Sequence, residues 1–186
     1  GAFPGDVPFL VLFQPLDDYI DFTDERWAEM KGLADKMAYK GSYYAVPTNI
    51  NNPVVLIYSR KAAADMGFED PYKLYTEGKW TWEKMTEIAT KVKQKYPDKW
   101  GIGLDKHLSV YGMVASNGSQ FVSVSSKGEL SSNLKDKKVR QALDQLNQWV
   151  NVDKVALTGS WDDMLTELTK GNVAFTFNED YCYDVL

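Results

Sequence analysis

Short apolar runs alternate with stretches of helical spacing along this chain, and that alternation limits the fold more than any other feature. Pro53–Ser59 (PVVLIYS), Trp100–Leu104 (WGIGL) and Val173–Phe177 (VAFTF) read as strands. The first is a continuous apolar run, as expected of a strand covered on both faces. Between the runs, apolar residues recur on single helical faces. Trp82, Met85, Ala89 and Val92 form one stripe, capped by Thr81 and ending near Tyr96. Val139, Ala142, Leu143, Leu146, Trp149 and Val150 form another behind an Asp136 cap. Trp161, Met164, Leu165 and Leu168 form a third, stopped by Gly171, and here the spacing favours packing for Trp161. Shorter helices are expected at Lys61–Met66, with Gly67 after it, and at Leu108–Ser116. Strands separated by helices give an α/β fold, a sheet flanked by helices.

The amino-terminal third reads less clearly. Pro15–Tyr19 is a turn feeding a helix, and Thr23 is expected to cap a helix to about Tyr39 that places Trp27, Met30, Leu33 and Met37 on one face. Tyr43–Val46 alternates weakly and reads as a strand. Phe121–Val124 and Glu129–Leu130 form a hairpin-like excursion around Lys127-Gly128.

Composition removes several functions. The chain has 186 residues and a net charge of −5, with dispersed Lys and Arg, which argues against nucleic acid as a partner. A single cysteine, Cys182, allows no internal disulfide. No apolar stretch approaches the roughly 20 residues of a membrane helix. There is no G-x-G-x-x-G, P-loop, G-x-S-x-G or H-E-x-x-H. His107, the one histidine, has no nearby cluster of Cys and carboxylates, so neither a metal nor a cofactor is expected. Asp17/Asp18 and Asp162/Asp163 read as charges at helix starts. Glu179/Asp180 differs because it follows a strand, where open α/β sheets place ligands. Six Trp and eleven Tyr suit an aromatic core and equally a surface that stacks on ring-shaped ligands.

Thr48-Asn49-Ile50-Asn51-Asn52-Pro53 is the least strand-like segment in front of any of the runs. Pro53 removes a donor and restricts Asn52 before it. The amides can supply both donors and acceptors to hydroxyls, or simply satisfy a surface turn.

Four segments resemble the extracellular solute-binding proteins of bacterial ABC importers, in the sugar-binding group that includes maltodextrin-binding protein. Leu16-Asp17-Asp18-Tyr19-Ile20 is similar to a "PLDDYI" motif. Gly41–Ser59 resembles a "G-K-x-Y-A-x-P … L-x-Y-N" crossover, with Ser59 in place of the commoner Asn. Trp80–Met85 is similar to "P-x-T-W-D-E-L". Trp161–Phe177 resembles "F-x-x-G-x-A-A-M" followed by a short loop and an aromatic residue. The resemblance covers about Pro15–Tyr183 and implies the central part of a two-lobe protein that extends on both sides. Residues 1–47 would belong to the first lobe and its lead-in, 48–53 to the crossover, and 54–186 to an incomplete second α/β lobe of the periplasmic-binding type.

The implied role is to bind a sugar or oligosaccharide between two lobes for import, without catalysis. Asn49, Asn51, Asp180 and Tyr181 are the implied ligand contacts, Tyr181 as a stacking ring; Tyr111 is a further candidate because it follows the Gly101–Leu104 strand and so falls at the same cleft. The implied partners are a carbohydrate and ABC permease subunits. The full protein would be monomeric and extracellular or periplasmic, anchored as a lipoprotein. Two alternatives stand beside this reading. One is a carbohydrate-active enzyme using Glu179 or Asp180. The other is a binding protein for a non-sugar solute such as a peptide, polyamine or anion.

Overall fold

Val173–Glu179 (β6) is the structural centre, with every residue from Val173 to Asn178 buried. In the computed structural model, which describes residues 13–46, 53–125, 127 and 129–180, the chain divides into two compact units. One comprises residues 1–51 and 122–132, the other 52–121 and 133–186.

The larger unit holds a four-stranded sheet in the order β1-β6-β2-β5. The strands are β1 (Val54–Tyr58), β2 (Trp100–Asp105), β5 (Ala156–Gly159) and β6. β2 runs parallel to both β5 and β6, whereas β1 is antiparallel to β6 with Val54 opposite Glu179. The three expected strands are present, with β2 one residue longer than its apolar run and β6 two. β1 departs from expectation in one respect. It is an edge strand, and only Ile57 is fully buried, so its apolar run is not covered on both faces.

Local chemistry fixes the helices. α2 (Arg60–Met66) begins where the Ser59 hydroxyl accepts the Ala62 N–H at 3.2 Å, and Gly67 closes it at φ 75°, a left-handed geometry that a side chain would strain. α3 (Pro71–Thr76) is capped by Asp70, which accepts from Tyr72 N at 2.9 Å, with Pro71 in the first turn. α4 (Trp82–Lys95) uses the Thr81 cap and buries Met85, Ile88, Ala89 and Val92. α5 (Leu108–Ser116) follows β2. α6 (Lys137–Asn147) starts at Asp136, whose carboxylate accepts from Lys138 N and Val139 N, and ends in a π-helical turn, Gln148–Val152. α7 (Trp161–Thr169) carries a reciprocal cap between Ser160 and Asp163.

α4 lies directly on β2. A Cβ built on Gly101 would meet the Ala89 Cα at 2.2 Å, so only glycine allows this approach. Trp149 is fully buried, and its indole N–H donates to the Thr86 hydroxyl at 2.7 Å. That bond ties the π-helical turn to α4 and satisfies a polar atom inside an apolar core.

The smaller unit corrects several expectations. Thr23 is not a cap, because its hydroxyl and N–H are taken by the Asp21 carboxylate. Asp24 caps a 3₁₀ turn, Glu25–Trp27, and the α-helix proper is α1, Ala28–Met37. Pro15–Tyr19 makes a turn, but no helix starts there. Asp17 accepts the Tyr43 N–H at 3.2 Å instead of standing at a helix start. Tyr43–Val46 is not a strand. The Tyr43 carbonyl accepts from Leu16 N, and its ring stacks on Phe22 with centroids 4.2 Å apart. Tyr39 and Ser42 form only an isolated bridge, closed by reciprocal backbone hydrogen bonds of 2.9 and 3.0 Å. The expected hairpin is present as β3 (Val122–Val124) and β4 (Leu130–Ser132).

Candidate functional site

The carboxyl ends of the three parallel strands share one edge of the larger unit, and the chain leaving each strand carries a polar or aromatic side chain. The start of β1 lies at the same edge, because Val54 pairs with Glu179.

β2 ends at Asp105, which is nearly buried. Its carboxylate accepts the His107 N–H at 2.7 Å and the Leu108 N–H, and so caps α5. One turn into α5 stands Tyr111, 61% exposed. Its ring meets that of Phe121 edge-to-face, with centroids 5.6 Å apart and planes at 84°. His107 is exposed, and its side chain makes no cap contact.

β5 leads to Ser160 and Trp161. The Ser160 hydroxyl and N–H both bond the Asp163 carboxylate, and these donors hold that carboxyl below its ordinary pKa. The cap fixes the first residue of α7, Trp161, which is 38% exposed. Helical spacing assigned Trp161 to packing, and the structure corrects that. Met164 and Leu168 form the buried stripe, while Trp161, on the opening turn, is partly exposed.

β6 ends in Asn178, Glu179 and Asp180. Asn178 is fully buried. Its amide donates to the Trp161 carbonyl at 3.3 Å and its oxygen accepts the Glu179 N–H at 2.9 Å, joining the exits of β5 and β6. Asp180 is exposed, and its N–H donates to the Pro53 carbonyl at 3.1 Å. Asp180 and the end of the Thr48–Pro53 segment are therefore neighbours. Asn49, Asn51 and Tyr181 lie outside the described residues.

Trp80 and Trp82 reach this edge beside the start of β1. They line a hollow of about 400 Å³ beside Val54, Leu56, Gly112 and Phe177. Trp82 is half-buried against the core, in keeping with a packing role, and the Trp80 ring meets Phe175 edge-to-face at 5.9 Å.

Two exposed rings, an exposed carboxylate and buried amide chemistry make an edge suited to holding a polar solute with apolar faces. Acid–base catalysis is poorly served. Asp105 is engaged with two N–H groups, and Glu179 and Asp180 are consecutive at a strand end, where side chains diverge. Among the described residues no cluster of His, Cys, Asp and Glu could hold a metal. Sequence reasoning missed the Phe121 contact and the Asp105 cap. The Asp105 contact carried no ordinary capping signal, because Asp105 stands three residues before the first helical position and His107 occupies the cap position.

Comparison with solved structures shows the same fold in distant relatives. The sugar-binding protein MalE of Xanthomonas citri superposes with a TM-score of 0.71 at 16% identity, covering 98% of this chain and 46% of that protein. The GacH receptor of Streptomyces glaucescens, solved unliganded and with acarbose, gives 0.65 at 20% identity, with 95% and 44% covered. The maltotriose-binding protein of Thermus thermophilus, bound with maltotriose, gives 0.64 at 17% identity, with 96% and 46% covered. The chain spans under half the length of these relatives. No match was found to a curated protein sequence. A single family description, bacterial extracellular solute-binding protein, matches residues 4–184, and by that match the chain belongs to the bacterial extracellular solute-binding proteins.

Proposed function

We propose that this chain is part of the solute-binding component of an ABC importer, and that its solute is a sugar or oligosaccharide. The observation that carries the reading is the pair of exposed rings, Tyr111 and Trp161, held at the exits of adjacent parallel strands β2 and β5. Asp180 stands at the exit of β6. A sugar offers hydroxyls that must be paired and C–H faces that gain from an aromatic cover. Acarbose and maltotriose bound to the relatives support the same class of ligand.

In this reading residues 54–186 act as most of one lobe, 48–53 as the crossover and 1–47 as part of the other lobe. Asn49, Asn51 and Tyr181 would complete the ligand contacts with Tyr111 and Asp180. Trp161 joins them as a contact that helical spacing assigned to the core. The whole protein would act as a monomer outside the cytoplasmic membrane, held by a lipid anchor and docking on permease subunits. It would release its ligand unchanged.

The test is a titration of this chain with maltotriose, followed by NMR, with spermidine as a non-sugar control. Binding should be weak, in the millimolar range, because part of the contact set lies beyond this chain. Tyr111→Ala and Trp161→Ala should each weaken it by on the order of tenfold, from about 60 Å² of lost aromatic cover. Micromolar or tighter binding by this chain alone would refute the division of contacts between lobes. Preference for spermidine over maltotriose would refute the sugar.

A further inference from the structure

Tyr111 is the more exposed of the two rings, and an unsupported tyrosine on a helix surface samples several rotamers. Ordering such a side chain on binding costs about 0.5–1.5 kcal/mol. Tyr111 is not unsupported, because Phe121 meets its ring at the edge-to-face geometry that aromatic pairs favour. Phe121 is itself anchored. Its ring packs against the main core, and its carbonyl accepts the Asn133 N–H at 2.8 Å. The Asn133 side-chain amide donates to the neighbouring Gln120 carbonyl at 3.0 Å. The two backbone points where the β3–β4 excursion leaves and rejoins the larger unit are thus stapled together at Phe121.

We infer that Phe121 is a positioning residue for ligand recognition. It holds the Tyr111 ring in one orientation, leaving the exposed side of the ring as a preformed platform for the C–H face of a sugar. This rests on the sugar-binding reading above, which places Tyr111 in contact with the ligand. Phe121 touches no ligand in this account, and its whole effect passes through Tyr111. Neighbours that only fill space would serve as well with an aliphatic side chain. A T-shaped contact requires a ring.

The experiment compares Phe121→Leu and Phe121→Tyr in the wild-type and Tyr111→Ala backgrounds, using maltotriose as the probe and NMR titration as the readout. Phe121→Leu should weaken binding by about three- to tenfold, equivalent to the ordering cost now met at binding. Phe121→Tyr, which keeps the ring, should restore affinity to within twofold of wild type. In the Tyr111→Ala background, Phe121→Leu should have no further effect. A ligand-free signature accompanies this. The Tyr111 ring protons should show a ring-current shift from Phe121 that disappears in Phe121→Leu and persists in Phe121→Tyr. An equal loss of affinity in both backgrounds overturns the inference, as does absence of the ring-current shift. If Tyr111→Ala leaves wild-type affinity intact, the sugar-site reading itself fails, and that outcome is visible before any Phe121 variant is made.

Discussion

Gly101→Ala tests the packing on which the larger unit depends. The new methyl carbon would sit 2.2 Å from the Ala89 Cα, 2.3 Å from its Cβ and 2.9 Å from its carbonyl carbon. Carbon atoms pack at about 3.5–4.0 Å, so α4 and β2 must separate by roughly 1.3 Å or more along this line. Two of the three atoms are backbone, so no rotamer change relieves the clash. Separation would also loosen Met85, Ile88 and Val92, the buried stripe of α4. Overpacking of this kind costs about 1–3 kcal/mol and sometimes more, and a backbone collision belongs at the upper end, about 3 kcal/mol. With a urea m-value of about 2 kcal/mol/M, the midpoint should fall by about 1.5 M. Urea denaturation followed by tryptophan fluorescence measures it. Ala89→Gly should not rescue the variant, because the collision with the backbone of residue 89, at 2.2 Å, remains when its methyl group is removed. A midpoint within about 0.3 M of wild type at unchanged m, or full rescue by Ala89→Gly, would refute the argument.

Trp149→Phe removes the N–H bonded to Thr86 and leaves a cavity in a site with no exposed surface, and equilibrium denaturation should show a loss of about 2–3 kcal/mol. Asp105→Ala removes the acceptor of two N–H groups at the start of α5, and a loss of about 1–2 kcal/mol is expected in the same assay. It should also raise hydrogen exchange in the first turn of α5 beneath Tyr111. The N–H donors of Val139 and Lys138 lower the pKa of Asp136, so its capping contribution is complete above the ordinary carboxylate value and is lost as pH falls through the depressed one. The difference in Tm between wild type and Asp136→Asn should therefore be constant near neutrality and close below about pH 4. A gap that widens on acidification would reverse the sign of the argument.

The strong elements were legible because local and tertiary signals agreed. Thr81 and Asp136 stand at the helix starts they were expected to make, and the stripes behind them are the buried faces of α4 and α6. β5 went unread because it is only four residues long and half-buried at a sheet edge, so its run is too brief for a period. α3 went unread although Asp70-Pro71 is a helix-start pair, because six residues show little periodicity. Tyr43–Val46 looked extended, but extension becomes a strand only when a partner takes its N–H and C=O groups. Here Asp17 and Leu16 take those of Tyr43. In the candidate site, a position after a strand was enough to single out Asp180 and Tyr111. Trp161 was misread because helical spacing says which residues share a face, and not that the first turn can overhang the core.

The hydrogen bond between Asp180 and Pro53 has an architectural consequence. The segment from Pro53 to Asp180 begins and ends at one spot, so it is attached through two adjacent ends, like a necklace at its clasp. A body attached in that way can be cut out and grafted into another scaffold through a narrow two-stranded neck. Such a chimera, with Pro53 and Asp180 spliced into an exposed turn of an unrelated carrier, should keep the stability of both parts.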